Sequence, residues 1–121
     1  MQRALIIEDN ETNLYLASFI LKKNGFEVIE AREGVTGVDL AVSDKPDLIL
    51  MDVQLPDIDG LEATKRIRQA IPDAQIPIIA LTSYAMPGDE EKALAAGCTG
   101  YIQKPINPDT FMPQILKFLG A

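Results

Sequence analysis

Short runs of consecutive apolar residues alternate along this chain with longer stretches whose apolar residues recur every three or four positions. The first run, Ala4–Ile7, is continuously apolar and predicts a strand buried on both faces. A helix follows, capped by Asn10 or Thr12 and stopped at Asn24-Gly25. Phe26–Ile29 predicts a second strand. Gly34 to about Ser43 predicts a second helix, with Val35, Val38, Leu40 and Val42 among its apolar positions. Asp47–Val53 holds the run Leu48-Ile49-Leu50-Met51, a third buried strand. Pro56 to Gly60 reads as a turn, and Leu61 to Ala70 as a charged amphipathic helix closed by Pro72. Ile76–Leu81 predicts a fourth strand, with Pro77 tolerable only near its start. Pro87 to Ala96 predicts a helix with proline in its first turn and Gly97 as its stop. Tyr101-Ile102 is a short fifth strand, and Asn107 and Pro108 open a last helix to Leu119. Pro113 falls inside that helix, where a proline in a regular interior costs roughly 3 kcal/mol. The helix is therefore expected either to kink there or to begin later.

Five strand–helix units with short connections define an α/β chain. Strands apolar on both faces need helices on both sides of a parallel sheet. Right-handed crossovers then give a doubly wound sheet, and a flavodoxin-like (βα)5 fold with strand order 2-1-3-4-5 is expected. Ligands of such sheets bind beyond the carboxyl ends of the strands.

At 121 residues the chain is expected to be one domain, residues 1–121. Its net charge of −7 and pI near 4.4 argue against nucleic-acid binding and against docking on anionic lipid. Cys98 is the single cysteine, so no internal disulfide is possible, and a lone thiol suits a reducing cytoplasm. Without histidine, Ser-His and Cys-His catalysis are excluded and a zinc site of the usual composition nearly so. No apolar stretch has the length of a signal peptide or a membrane span, and a soluble, cytoplasmic protein is expected.

Polar residues follow the strands at their carboxyl ends. Strand one ends in Glu8-Asp9, strand three in Asp52 followed by Val53-Gln54, strand four in Thr82-Ser83, and strand five runs into Lys104-Pro105. Each has an ordinary reading: Asp9 as an acceptor for helix N–H groups, Asp52 as a loop acid, Thr82 as a cap, Lys104 as a solvated lysine, Cys98 as a small core residue. Their coincidence at one sheet edge points elsewhere. Close carboxylates repel, and a hard cation such as Mg²⁺ removes that cost. A carboxylate is also a competent nucleophile for phosphoryl transfer, with an ammonium and a hydroxyl available to the phosphoryl oxygens.

Five segments carry a family resemblance: Leu5-Ile6-Ile7-Glu8-Asp9-Asn10, Lys45-Pro46-Asp47-Leu48-Ile49-Leu50-Met51-Asp52, Leu55-Pro56 with Asp59-Gly60, Ile79-Ala80-Leu81-Thr82, and Tyr101-Ile102-Gln103-Lys104-Pro105. In this order and spacing the chain resembles bacterial response-regulator receiver domains of the CheY-like superfamily over essentially its whole length. Met51-Asp52-Val53-Gln54-Leu55-Pro56 and Ala85-Met86-Pro87-Gly88-Asp89-Glu90-Glu91 look most like stand-alone receivers of the DivK type, and like receivers attached to hybrid histidine kinases. The resemblance implies that Asp52 is the phosphoacceptor, with Thr82 and Lys104 as its catalytic partners. Glu8, Asp9, Asp52 and the Gln54 carbonyl would hold Mg²⁺. Thr82 and Tyr101 would be the switch pair, and the Lys104–Pro105 bond would be cis. Gln54 and Tyr84 occupy positions that influence phosphoryl lifetime, with Tyr84 expected to limit water access.

The first helix carries more apolar residues than one core-facing stripe needs. Leu14, Tyr15, Ser18 and Phe19 are expected to form a face that docks a histidine kinase or histidine phosphotransfer protein. In the plainer reading, neighbouring loops partly cover that face. Output to a downstream protein target is expected near Tyr101. Three rival readings stand beside the receiver. A haloacid-dehalogenase-type phosphatase wants a second Asp at the position of Gln54. A flavodoxin-like electron carrier wants a phosphate loop where Glu8-Asp9-Asn10-Glu11 stands. A degenerate receiver would act only as a protein-interaction module.

Overall fold

The computed structural model describes residues 2–72, 75–83 and 86–119. Strands β1 (Arg3–Ile7), β2 (Glu27–Ala31), β3 (Leu48–Asp52), β4 (Ile78–Thr82) and β5 (Gly100–Gln103) alternate with helices α1 (Glu11–Lys23), α2 (Gly34–Asp44), α3 (Gly60–Ala70), α4 (Asp89–Ala96) and α5 (Phe111–Phe118). Neighbouring strands are all parallel, in the order β2-β1-β3-β4-β5. This is the flavodoxin-like α/β sheet that the apolar runs imply.

The continuity of those runs follows from two cores. Ala4, Ile6, Leu48, Leu50, Ile79 and Leu81 face one side, where Leu14, Leu21, Phe111 and Ile115 of α1 and α5 cover them. Leu5, Ile7, Ile49, Met51, Ile78 and Ala80 face the other, under Ala41, Ala63, Ile67 and Ala93 of α2, α3 and α4. Alternate residues of a strand point to opposite faces, so a strand covered on both sides loses its polar alternation. β2 lies at the sheet edge, with Val28 and Ile29 half-buried between the exposed Glu27 and Glu30.

Several boundaries differ from the sequence expectation. β2 begins at Glu27 and runs to Ala31, with Phe26 buried just ahead of it. α4 begins at Asp89 rather than Pro87, because Gly88 at φ +89 takes a left-handed conformation that interrupts helical backbone. The turn before it is closed by Met86 and Asp89. The Asp89 N–H donates to the Met86 carbonyl at 3.0 Å, and the Met86 N–H to Asp89 Oδ2 at 3.0 Å. α5 takes the later of its two expected starts. Asn107 closes a turn, accepting the Asp109 N–H on its side chain at 2.9 Å and the Phe111 N–H on its carbonyl at 2.9 Å. Pro113 is thus the third residue of the helix, in the turn whose N–H groups have no helical partner, and it breaks no bond. Of the two candidate caps of α1, Asn10 serves, accepting the Asn13 N–H at 3.0 Å. No helix among the described residues is long and apolar enough to cross a membrane.

Candidate functional site

Sheet register decides which polar groups meet. Ile7 pairs with Met51, so Glu8 emerges beside Asp52. Asp52 pairs with Leu81, and Thr82 with Gln103, so Thr82 and Lys104 follow one step further along the same edge. Backbone bonds hold these strand ends: Val53 N–H to Leu81 O at 3.0 Å, Lys104 N–H to Thr82 O at 2.7 Å, Glu8 N–H to Ala31 O at 2.9 Å. The Lys104–Pro105 peptide bond is cis.

Carboxylate oxygens of Glu8, Asp9 and Asp52 lie within 4.8 Å of one another. Glu8 and Asp52 are buried, at 1% and 3% exposure, while Asp9 stands exposed at the mouth. Lys104 reaches in from the far side, its Nζ 2.6 Å from Glu8 Oε1 and 3.3 Å from Asp52 Oδ1. The attraction to Glu8 is Coulombic rather than directional, since no donor among the described residues is aligned for a hydrogen bond to that buried oxygen. The Gln54 N–H donates to Asp52 Oδ1 at 3.0 Å.

Burial pushes the Asp52 carboxyl up to about 6. A hydrogen bond with Glu8 and the Glu8 charge act in the same direction, while the Gln54 N–H and Lys104 pull it back. The Glu8 charge thus disfavours ionisation of Asp52, as a close carboxylate does. An all-oxygen cup with net negative charge and a buried oxygen lacking a directed donor fits a hard divalent cation. It does not fit the nitrogen and sulfur preference of zinc.

Thr82 is buried at 4% exposure. It lines a cleft of about 200 Å³ together with Gln54, Leu61, Lys92 and Tyr101. Burial, then Asp89 and Glu90, push the Tyr101 hydroxyl up, and a hydrogen bond with Thr82 opposes the shift. Thr82 and Tyr101 are thus in contact beside the acid cluster. Tyr84 lies outside the described residues.

The expected docking face on α1 needs correction. Tyr15 and Phe19 are exposed, at 71% and 53%, with ring centroids 6.3 Å apart and planes 25° from parallel. Leu14 and Ser18 are buried and cannot meet a partner. The reason is helical spacing: residues four apart stack, so Tyr15 lies above Phe19, while Leu14 and Ser18 sit about 100° round the axis with Ala17 and Leu21, against the sheet.

One functional neighbourhood escaped the sequence reading. The loop from Val53 to Gly60 leaves the sheet at the acid cluster and is closed at its base by the Gly60 N–H to Val53 O bond of 2.8 Å. Its Asp57 accepts the N–H groups of Gly34 and Val35 at 2.7 and 2.9 Å. Those two bonds hold the Asp57 carboxyl down at about 2. In the sequence this residue is only a turn aspartate, and no local pattern names a partner 23 residues away.

A sheet edge that gathers three carboxylates, a buried threonine and a lysine is the mark of a phosphoryl-receiving module, and the comparisons agree. The model of the response regulator receiver domain matches residues 4–116, and the chain belongs to this family. It is a signalling receiver of the two-component kind, whose phosphodonor is a kinase, and not a conventional enzyme. It is 45% identical over 116 residues to the polar-differentiation response regulator DivK of Brucella anthropi, a match spanning 96% of this chain and 94% of that protein. The receiver domain of a sensor histidine kinase from Pseudomonas aeruginosa PAO1, solved with a magnesium ion coordinated in its active site cleft, superposes with a TM-score of 0.88. Its identity is 35%, covering 99% of this chain and 98% of that one. A CheY-like receiver domain protein from Methanospirillum hungatei JF-1 superposes at 0.90 with 30% identity, over 99% of this chain and 94% of that one.

Proposed function

We propose that this receiver accepts a phosphoryl group on Asp52 from a phosphohistidine donor, with Mg²⁺ held by Glu8, Asp9, Asp52 and the Gln54 carbonyl. The observation that carries the reading is Asp52 itself: a nearly buried carboxylate at a strand end, with two more acids beside it and Lys104 Nζ at 3.3 Å. An Asp52 carboxylate oxygen attacks phosphorus, an O–P bond forms, the N–P bond of the donor breaks, and the imidazole leaves with its electron pair. Mg²⁺, when bound, neutralises charge on the carboxylates and on the transferring group. Lys104 counters the remaining phosphoryl charge, and the Thr82 hydroxyl donates to a phosphoryl oxygen. Tyr101, already bonded to Thr82, follows that hydroxyl, and the shift changes the surface offered to a downstream protein. A cytoplasmic setting suits the free, buried thiol of Cys98.

Intact mass after incubation with acetyl phosphate and Mg²⁺ tests the chemistry. A gain of about 80 Da is expected that needs Mg²⁺ and is absent from Asp52→Asn. No gain here, nor with a histidine-phosphorylated protein as donor, would leave the chain as an interaction module only.

The donor docks on the exposed Tyr15–Phe19 stack, beside the groove formed by Leu16, Ile20, Met112 and Pro113. Exposed aromatics of this kind anchor interfaces. Tyr15→Ala is expected to slow phosphotransfer from the cognate phosphohistidine protein about tenfold. Its rate with acetyl phosphate should stay unchanged. Equal slowing with both donors would place the defect in the site instead of the interface.

A further inference from the structure

α2 has no cap of its own. Glu33, at its N-cap position, makes no side-chain bond to the helix, and the first turn contains no acid. Both capping bonds come instead from Asp57, in the loop that follows Asp52. The approach is close and depends on Gly34: a Cβ there would lie 2.5 Å from Ile58 Cγ1 and 3.2 Å from Asp57 Oδ1. The loop is thus fixed at two places, at its base by Gly60 and Val53 and at its tip by Asp57 on α2. Gln54 lies between these points, exposed, with its own N–H on Asp52 Oδ1. Val53, Leu55 and Ile58 pack against the core as well, so the two tethers set the path of the backbone between these contacts.

We propose that Asp57 is a positioning residue of the metal site: by capping α2 it holds the Val53–Gly60 loop, and with it the Gln54 carbonyl, in place for Mg²⁺. This rests on the reading of Gln54 as a ligand. It also makes α2 part of the site, since displacing its first turn displaces the loop. Residues that orient a metal's ligands without touching the metal commonly govern affinity about tenfold or more.

The test uses the full chain as wild type, Asp57→Ala, Asp57→Ser, Asp57→Asn and Ile115→Val, the last a destabilised control in the core on the other face of the sheet from the loop. Amide hydrogen exchange is measured without Mg²⁺, and Mg²⁺ affinity by calorimetry. In Asp57→Ala, exchange at Gln54 and Gly60 should speed up, and the Mg²⁺ dissociation constant should rise, each about tenfold. Asp57→Asn keeps an acceptor oxygen and should recover most of both; Asp57→Ser, too short to reach both N–H groups, should shift both as alanine does and carries the test if the alanine variant fails to fold. Ile115→Val should leave both as in wild type. Faster exchange only at Gly34 and Val35, with Gln54 and Gly60 unaffected, would overturn the proposal, as would Mg²⁺ affinity within about twofold of wild type. Wild type that fails to bind Mg²⁺ would instead sink the proposed metal site, and the exchange at Gln54 would still decide whether Asp57 holds the loop.

Discussion

Asp52→Asn is expected to raise the melting temperature of the Mg²⁺-free protein at pH 7.5, although it removes the proposed phosphoacceptor. Asp52 must ionise while buried against Glu8, and its carboxyl is pushed up to about 6. A group whose folded pKa is raised lends stability below its unfolded value, near 4, and that stability is lost as pH climbs through about 6. At pH 7.5 the wild type has therefore given up about 3 kcal/mol that the asparagine, neutral at every pH, does not lose. The substitution keeps what the site needs. An amide oxygen still accepts the Gln54 N–H, and Lys104 still has Glu8 at 2.6 Å, now without a competing acid. For a domain of this size the gain amounts to about 12 °C. Thermal melts in EDTA from pH 4 to 8 check it. The advantage should shrink as pH falls and vanish near 4, where wild-type Asp52 carries its proton. Saturating Mg²⁺ should reverse the order at pH 7.5, because binding stabilises the wild type and the variant lacks one of the proposed ligands. A lower melting point for Asp52→Asn at pH 7.5 without Mg²⁺ would mean that Lys104 already compensates both carboxylates.

Much of this was legible in the sequence, for physical reasons that also mark where legibility stops. Leu48-Ile49-Leu50-Met51 announces a strand with cores on both sides, and such strands together dictate the sheet. Glu8, Asp9, Asp52, Thr82 and Lys104 announce themselves because each ends a strand, and strand ends of a parallel sheet share one edge. Side-chain geometry within that edge was not legible. Lys104 lies nearer Glu8 than Asp52, a choice made by packing around residues 96 positions apart. Nor does spacing alone expose Asp57, whose partners are backbone N–H groups that any residue could have offered. The error on α1 came from grouping neighbours in sequence: Leu14 beside Tyr15, Ser18 beside Phe19. Successive helical residues point about 100° apart, so each pair splits between core and solvent. The misplaced start of α4 came from weighing Pro87 as a helix opener over Gly88 as a left-handed breaker.

Gly60→Ala should be the most disruptive single methyl in the loop that borders the site. Gly60 opens α3 directly over the end of β3. A Cβ there would lie 2.8 Å from the Asp52 carbonyl carbon and from Val53 Cα, and closer still to the Asp52 carbonyl oxygen. None of these atoms is the free end of a flexible side chain. Asp52 is bonded into β3, and Val53 N–H is held by Leu81 O, so the strand end cannot retreat without breaking the sheet ladder. α3 cannot easily withdraw either, because the Asp59 side chain caps it at Glu62 N–H and the Gly60 N–H is bonded to Val53 O. Overpacking against backbone of this kind costs about 3 kcal/mol. Urea denaturation should show it as a lower midpoint with an unchanged slope. The same shift must move Asp52, so Mg²⁺-dependent phosphorylation by acetyl phosphate should also slow in whatever fraction remains folded. Gly25→Ala separates the steric cause from a general intolerance of lost glycines. That position has a left-handed φ of +89 but nothing within 4 Å of a Cβ, so its cost is conformational only, about 1 kcal/mol, and phosphorylation should be untouched. Equal losses at the two positions would remove the argument that α3 is seated on the strand that ends in Asp52.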